Sequence, residues 1–233
     1  MKRFWDQVTV APAAGGWQVL LDGRAVKTQG GAVQAAPTPK LAELLAGEWR
    51  AQGAEIDPQG FGMRDLADYA LDVVAVDRAT VIDTLLGYAE TDTLNYRADP
   101  DELQYQRQRD LWEPLVTAAE ARHGARFVRV SGVVHRPQPP ETLAALRAVL
   151  DGFDAFTLAG LETLTAISAS LITGLAALEP GADVPALFAA ANAEEDWQAE
   201  QWGWEWTAED RRALRLATFT RAAQFVRAAR QSA

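Results

Sequence analysis

Two neighbouring stretches decide the fold: residues 17–28, WQVLLDGRAVKT, and residues 38–49, TPKLAELLAGEW. In the first, short apolar runs flank Asp22-Gly23. That dipeptide accepts positive φ at both central positions of a tight turn, so the chain doubles back as antiparallel strands. Val8 to Val10 supplies an earlier strand, Gly15-Gly16 the turn that leads from it to Trp17, and Ala25 to Thr28 a later strand. The first 36 residues therefore predict a small meander. In the second stretch the apolar period changes. Thr38 is placed to cap, Pro39 fits the first helical position, and Leu41, Leu44, Leu45 and Trp49 recur on one helical face, with Gly53 to end it.

Helical periodicity continues over about residues 64–76 and 78–94. Asp99 then stands as a cap, with Pro100 in the first turn and Glu102 three residues on to reach back to the Asp99 amide. Pro114 predicts a kink in the helix that follows. Phe127 to Val130, alternating with Arg126 and Arg129, predicts a strand that returns to the amino-terminal sheet, and Pro137, Pro139 and Pro140 mark a boundary. Beyond it the periodicity is helical. Residues 155–178 are apolar, but Glu162 and many small or hydroxylated residues favour a buried bundle helix over a membrane span. Ala166, Ser168, Ala169, Ser170 and Gly174 would let neighbouring helices come close. Residues 183–203 and 207–230 complete the pattern, the last with Leu216, Phe219, Ala223 and Val226 on one stripe. The sequence thus predicts an α+β fold: a small amino-terminal antiparallel β domain, residues 1–60, followed by a larger α-helical bundle domain, residues 61–233, holding one strand at 127–130.

Composition narrows the function. The 233 residues are 48% hydrophobic and 23% charged, which excludes disordered and fibrous classes. Thirty-two acids against 22 bases give a formal net charge of -10, so nucleic acid and anionic lipid are poor partners. The absence of cysteine removes disulfides, thiolate nucleophiles and iron–sulfur clusters together. Met1 to Asp6 carries neither the apolar core of a secretory signal nor an Arg-rich presequence, which predicts a cytoplasmic protein.

Catalytic motifs are thin. Lys27-Thr28 precedes Gly30-Gly31, the wrong order for a phosphate loop. No nucleophile motif surrounds a serine, and His123, beside a predicted helix end, suits a cation meeting exposed carbonyls. Glu194, Glu195, Asp196 and Glu200 crowd one predicted helix, and Asp196 and Glu200 share a face. Such a pair could hold a hard cation or act as acid and base, but no histidine or third spaced ligand joins it, and a solvated acidic face is the simpler assignment. The unusual feature is the company: Trp197, Trp202, Trp204 and Trp206 place half of the eight tryptophans within ten residues. Trp is favoured at interface hot spots. The alternative is a tryptophan-rich core between the last two helices, above all for Trp197 and Trp202.

Along nearly the whole length the chain resembles the Atp-twelve family. The match runs from Arg3-Phe4-Trp5 through Leu21-Asp22-Gly23-Arg24, Val26-Lys27-Thr28, Pro37-Thr38, Glu48-Trp49-Arg50-Ala51-Gln52-Gly53 and Ile56-Asp57-Pro58. It continues in Thr91-Asp92-Thr93-Leu94, Tyr96-Arg97-Ala98, Gln108, Trp112-Glu113-Pro114-Leu115, Glu195-Asp196-Trp197-Gln198, Glu200 and Trp202-Gly203. The chain departs from the family pattern at residues 61–72, where Asp65 replaces a basic residue, and at Trp204-Glu205, where an acidic pair is usual. The resemblance implies an assembly chaperone that binds the free alpha subunit of the ATP synthase catalytic sector and shields it until the beta subunit pairs with it. It implies no catalytic residue, no metal and no cofactor. The expected partner contact is Glu195, Asp196, Gln198, Glu200 and Trp202, on a protein that is not membrane-embedded and, with no sustained heptad, monomeric. The competing readings are a carboxylate- or metal-dependent hydrolase using Asp196 and Glu200, and a binding module for another protein.

Overall fold

The computed structural model of the protein describes residues 1–132 and 134–231, which form two compact units. One takes in Met1–Arg78, Asp154–Gly160 and the described residues from Gln224 onward, so it runs well past residue 60; the other takes in Ala79–Phe153 and Leu161–Ala223.

In the first unit, β1 (Val8–Ala13), β2 (Gly16–Leu21) and β3 (Arg24–Ala25) form an antiparallel meander in that order. Asp22 and Gly23, at φ 48° and 78°, make the two-residue turn that the sequence predicts, with Leu21 facing Arg24. At Gly16 any larger residue is excluded, because a Cβ would lie 2.2 Å from the Ala36 carbonyl oxygen. That carbonyl accepts from Trp17 N at 2.8 Å. The third strand is shorter than predicted: Lys27 bridges Val33 and Thr28 N donates to Ala32 O at 3.0 Å, so the chain curls into its own loop. Two carboxylates anchor this loop. Asp68 accepts from Gln29 N and Gln34 Nε2, and Asp72 accepts from Gly30 N and Thr28 Oγ1.

Helix α1 (Pro39–Ala51) begins as predicted, with Thr38 Oγ1 accepting from Leu41 N at 3.1 Å and donating to Ala228 O at 2.6 Å. Leu41, Leu45 and Trp49 are buried, and Trp49 packs edge-on to Trp5 at 5.0 Å and against Phe61 at 4.6 Å. Helix α2 (Gly62–Tyr69) passes into a π-helical turn over Ala70–Val74, and α3 (Arg78–Glu90) follows.

The second unit corrects several expectations. Helix α4 (Tyr105–His123) starts later than Asp99. Glu102 does reach back to Asp99 N, and the Asp99 carboxylate accepts from Ser131 Oγ at 2.5 Å. Pro114 lies inside α4. The strand predicted at 127–130 is displaced and does not return to the amino-terminal sheet. Instead β4 (Tyr96–Arg97) pairs in parallel with β5 (Val130–Ser131). The reason lies in competing hydrogen bonds: Phe127 N donates to Glu120 and Val128 N to Gln138, each at 2.8 Å, so side chains take the amides a ladder would need.

Helix α5 is Pro140–Asp151, and the apolar run that follows is two helices rather than one, α6 (Ala155–Ser168) and α7 (Leu171–Ala177). Ala169 at φ 48° breaks the run, and Ser170 caps α7 by accepting from Thr173 N at 3.0 Å. The small residues act as predicted at Gly174, where a Cβ would sit 2.6 Å from Thr165 Oγ1. Helices α8 (Val184–Ala191), α9 (Ala193–Trp202) and α10 (Ala208–Arg230) complete the chain. Phe188 and Phe219, both fully buried, meet at 5.7 Å. Among the described residues no helix is long and apolar enough to cross a membrane.

Candidate partner-binding surface

Asn192 closes α8 and opens α9, its Nδ2 donating to Phe188 O at 2.8 Å. Glu194, Glu195 and Asp196 then fall in the first turn of α9, where carboxylates favour the positive end of the helix dipole. Each finds a partner within the unit. Asp196 takes both donors of the Arg212 guanidinium fork, with Nε at 2.6 Å, and Glu195 pairs with Arg215. Glu200 receives Arg107 through two bonds of 2.5 and 2.8 Å. Glu194 accepts from Gln108 Nε2 at 2.7 Å, and Gln108 in turn accepts from Ala98 N. These contacts lace α9 to α4 on one side and to α10 on the other. Burial pushes the Glu194 carboxyl upward, whereas the hydrogen bond from Arg107 holds Glu200 below its ordinary value.

The indoles are not similarly enclosed. Trp202 is 75% exposed and Trp206 87%, with Trp204 and Leu214 also exposed. Only Trp197 is half-buried, its ring edge-on to Trp202 at 5.8 Å. Trp202 is therefore no part of a core between the last two helices. Gly203, at φ 80°, turns the chain after α9, and the Arg212 guanidinium lies 5.9 Å from the Trp204 ring and 5.1 Å from that of Phe188. Gln198 is exposed on the same helix. The result is a surface of bare indoles whose base is pinned by ion pairs.

All four oxygens of Asp196 and Glu200 accept from guanidinium groups, those of Asp196 from Arg212 of α10 and those of Glu200 from Arg107 of α4. Among the described residues no three His, Asp or Glu side chains gather as a cation site. His123 ends α4, as predicted, with Arg122 beside it in the last turn, and burial pushes its imidazole below the usual value. Sequence reading placed the acids and the tryptophans together but not the arginines that hold them, because Arg107 and Glu200 lie 93 residues apart.

A family model of the ATP12 chaperone protein matches residues 2–120. The chain belongs to the ATP12 chaperone family. Membership makes it a chaperone of ATP synthase assembly. The fold is that of solved family members: two structures of Atp12 from Paracoccus denitrificans, one carrying a single substitution, are 36% identical to it. Each covers 98% of both chains at a TM-score of 0.93. A protein from Agrobacterium tumefaciens is 37% identical over 97% of this chain and 85% of its own, with the same TM-score. The mitochondrial protein atp12 of Schizosaccharomyces pombe is 23% identical over 87% of this chain and 74% of its own length.

The segments that carry the family resemblance are largely hydrogen-bond hubs. Asp22 accepts from Asp6 N and Gln7 N, and Glu48 from Met63 N and Arg64 N. Asp92, fully buried, accepts from Leu94 N and Ile172 N. Trp112, also fully buried, donates to Ala190 O at 2.7 Å.

Proposed function

We propose that the chain binds the free alpha subunit of the ATP synthase catalytic sector and covers its pairing surface until the beta subunit takes its place. The observation that supports this most is the exposure of Trp202, Trp204 and Trp206 within five residues, in a chain whose family is one of chaperones. Exposed indoles are costly in water, and burying each against a partner returns roughly 1.5–3 kcal/mol. Glu195, Asp196, Gln198, Glu200 and Trp202 form the contact, the ion-paired carboxylates tying α9, which carries Trp202, to α4 and α10. An interface of about 1,200–2,000 Å² gives adequate affinity, and the beta subunit displaces the chaperone by mass action without nucleotide hydrolysis. The molecule works in the cytoplasm as a monomer, with its surface as its only tool.

Light scattering by purified alpha subunit tests this. An equimolar amount of the chain suppresses aggregation with neither nucleotide nor magnesium present, and added beta subunit releases the chain. Aggregation that proceeds unchanged, or suppression that requires nucleotide, contradicts the proposal.

A further inference from the structure

Gln108, buried in α4, joins two segments of the second unit. Its Oε1 accepts from Ala98 N and its Nε2 donates to Glu194 at the start of α9, each at 2.7 Å. The turn at residues 99–103, which leads from Ala98 toward α4, therefore lies beside α9. Burial raises the Glu194 carboxyl, and the negative charge of Glu102 adds to that rise against the bond from Gln108, so the two acids sense each other.

That turn is closed by its own bonds. Glu102 N donates to Asp99 O at 2.9 Å and Tyr105 N to Glu102 O at 3.1 Å. Leu103, held in the turn, is 90% exposed. One bare leucine is ordinary on a protein surface, so its place in the fold decides its meaning. Leu103 precedes Arg107 by four residues and Trp202 follows Glu200 by two, and Arg107 grips Glu200 through two bonds. The grip brings Leu103 into the neighbourhood of the exposed indoles, and the apolar surface gains a contributor from a distant part of the sequence.

Charge separates this region from the rest of the chain. Residues 99–107 and 194–215 hold ten carboxylates and four arginines, a balance of -6 in a chain whose total is -10. All four arginines are engaged within the region: Arg107 by Glu200, Arg211 by Glu205, Arg212 by Asp196 and Arg215 by Glu195. Asp101, Glu102, Glu209 and Asp210 remain, all exposed and with no cation paired to them among the described residues. The indoles strengthen the same preference, because the face of an exposed ring attracts a cation. Like charge opposes a second copy of the chain laid face to face here, and it repels anionic partners.

We propose that residues 99–103 form a second wall of the α9–α10 surface, and that the surface selects a protein patch in which lysine or arginine side chains stand among apolar ones. Leu103 and the indoles take the apolar groups, while Asp101, Glu102, Glu209 and Asp210 take the cations. This assignment rests on capture of the alpha subunit at the same surface, and it makes alpha's contact patch basic and apolar.

Binding of purified alpha subunit to the immobilised full chain is measured at about 50 and about 500 mM sodium chloride, with variants matched to the native chain by circular dichroism and unfolding midpoint. Native affinity should fall about tenfold or more at the higher salt. Leu103→Ala should weaken binding about fivefold at both salts. Asp101→Asn, Glu102→Gln, Glu209→Gln and Asp210→Asn together should cost about tenfold at low salt and less than about twofold at high salt. Glu55→Gln with Glu141→Gln, exposed acids outside these segments, should change neither value. Affinity indifferent to salt, to Leu103→Ala or to the four neutralisations overturns the proposal. So does an equal loss in the Glu55→Gln, Glu141→Gln control, or a dimer of the chain that Trp202→Ala dissolves. If the Leu103 and neutralised variants bind as the native chain does while Trp202→Ala loses alpha, capture by the indoles stands and the basic patch falls. Failure of the native chain to bind alpha at either salt removes both.

Discussion

Arg129 and Arg212 each anchor an arginine–carboxylate network in the second unit, and their surroundings differ. Arg129 bridges Glu113, at 2.7 Å, and Glu120, while Arg97 takes the other oxygen of Glu113 at 2.6 Å. Glu120 also accepts from Phe127 N, so the circuit ties α4 to the backbone that leads into β5. The hydrogen bond from Arg129, opposed by burial and joined by that from Arg97, holds the Glu113 carboxyl at about 2. Arg212, by contrast, has a single carboxylate partner among the described residues, and its guanidinium also lies near Phe188 and Trp204. The first network closes on itself and fixes the path of the chain. The second is open on one side, where its guanidinium lies between buried Phe188 and exposed Trp204. Rigid placement of exposed indoles lowers the entropy lost when a partner covers them.

The largest effect on stability is expected from Arg129→Ala, which strands two carboxylates in a partly enclosed circuit: about 3 kcal/mol lost in urea unfolding. Arg212→Ala is expected to cost about 1–2 kcal/mol, since it strands one carboxylate rather than two. A larger loss in Arg212→Ala than in Arg129→Ala would reverse the assignment of which network is structural.

Titration sharpens the contrast. Glu113 is depressed in the folded state, so its contribution is present above its ordinary value of 4.5 and is lost as pH falls toward about 2. Asp92, the buried cap of the segment Thr93–Asn95, behaves oppositely. Burial raises it from 3.8 to about 6 against the hydrogen bonds it accepts, so its contribution is full below 3.8 and is lost as pH rises through about 6. Unfolding free energy should therefore decline as pH rises across that window, and Asp92→Asn should flatten the decline whatever its effect on absolute stability. A slope that persists in Asp92→Asn would assign the titration to another group. The smallest stability effect is expected at the exposed indoles: Trp202→Ala with Trp206→Ala should shift unfolding by no more than about 0.5 kcal/mol.

Much of the fold was legible in local chemistry. Asp22-Gly23 and Thr38-Pro39 each specify a backbone geometry that few alternatives satisfy, and both are formed. Partnership was less legible. The alternation at 127–130 says that a strand is possible but not which edge it meets, and Glu120 and Gln138 pre-empt the amides concerned. The break between α6 and α7 carried a signal, Ser170 three residues before Thr173, that was masked by an apolar run on both sides. At the candidate surface the crowding of acids and indoles could be read from the chain, whereas the arginines that neutralise those acids come from α4 and α10. Only folding brings them to α9.

The central claim is that bare indoles on a pinned surface capture the alpha subunit. Co-purification of alpha with tagged chain, compared between the native sequence and the triple variant Trp202→Ala, Trp204→Ala, Trp206→Ala matched for unfolding midpoint, tests it most directly. Capture should fall by at least about a hundredfold in the triple variant, the equivalent of roughly 3 kcal/mol. Equal recovery of alpha with both proteins would contradict the account.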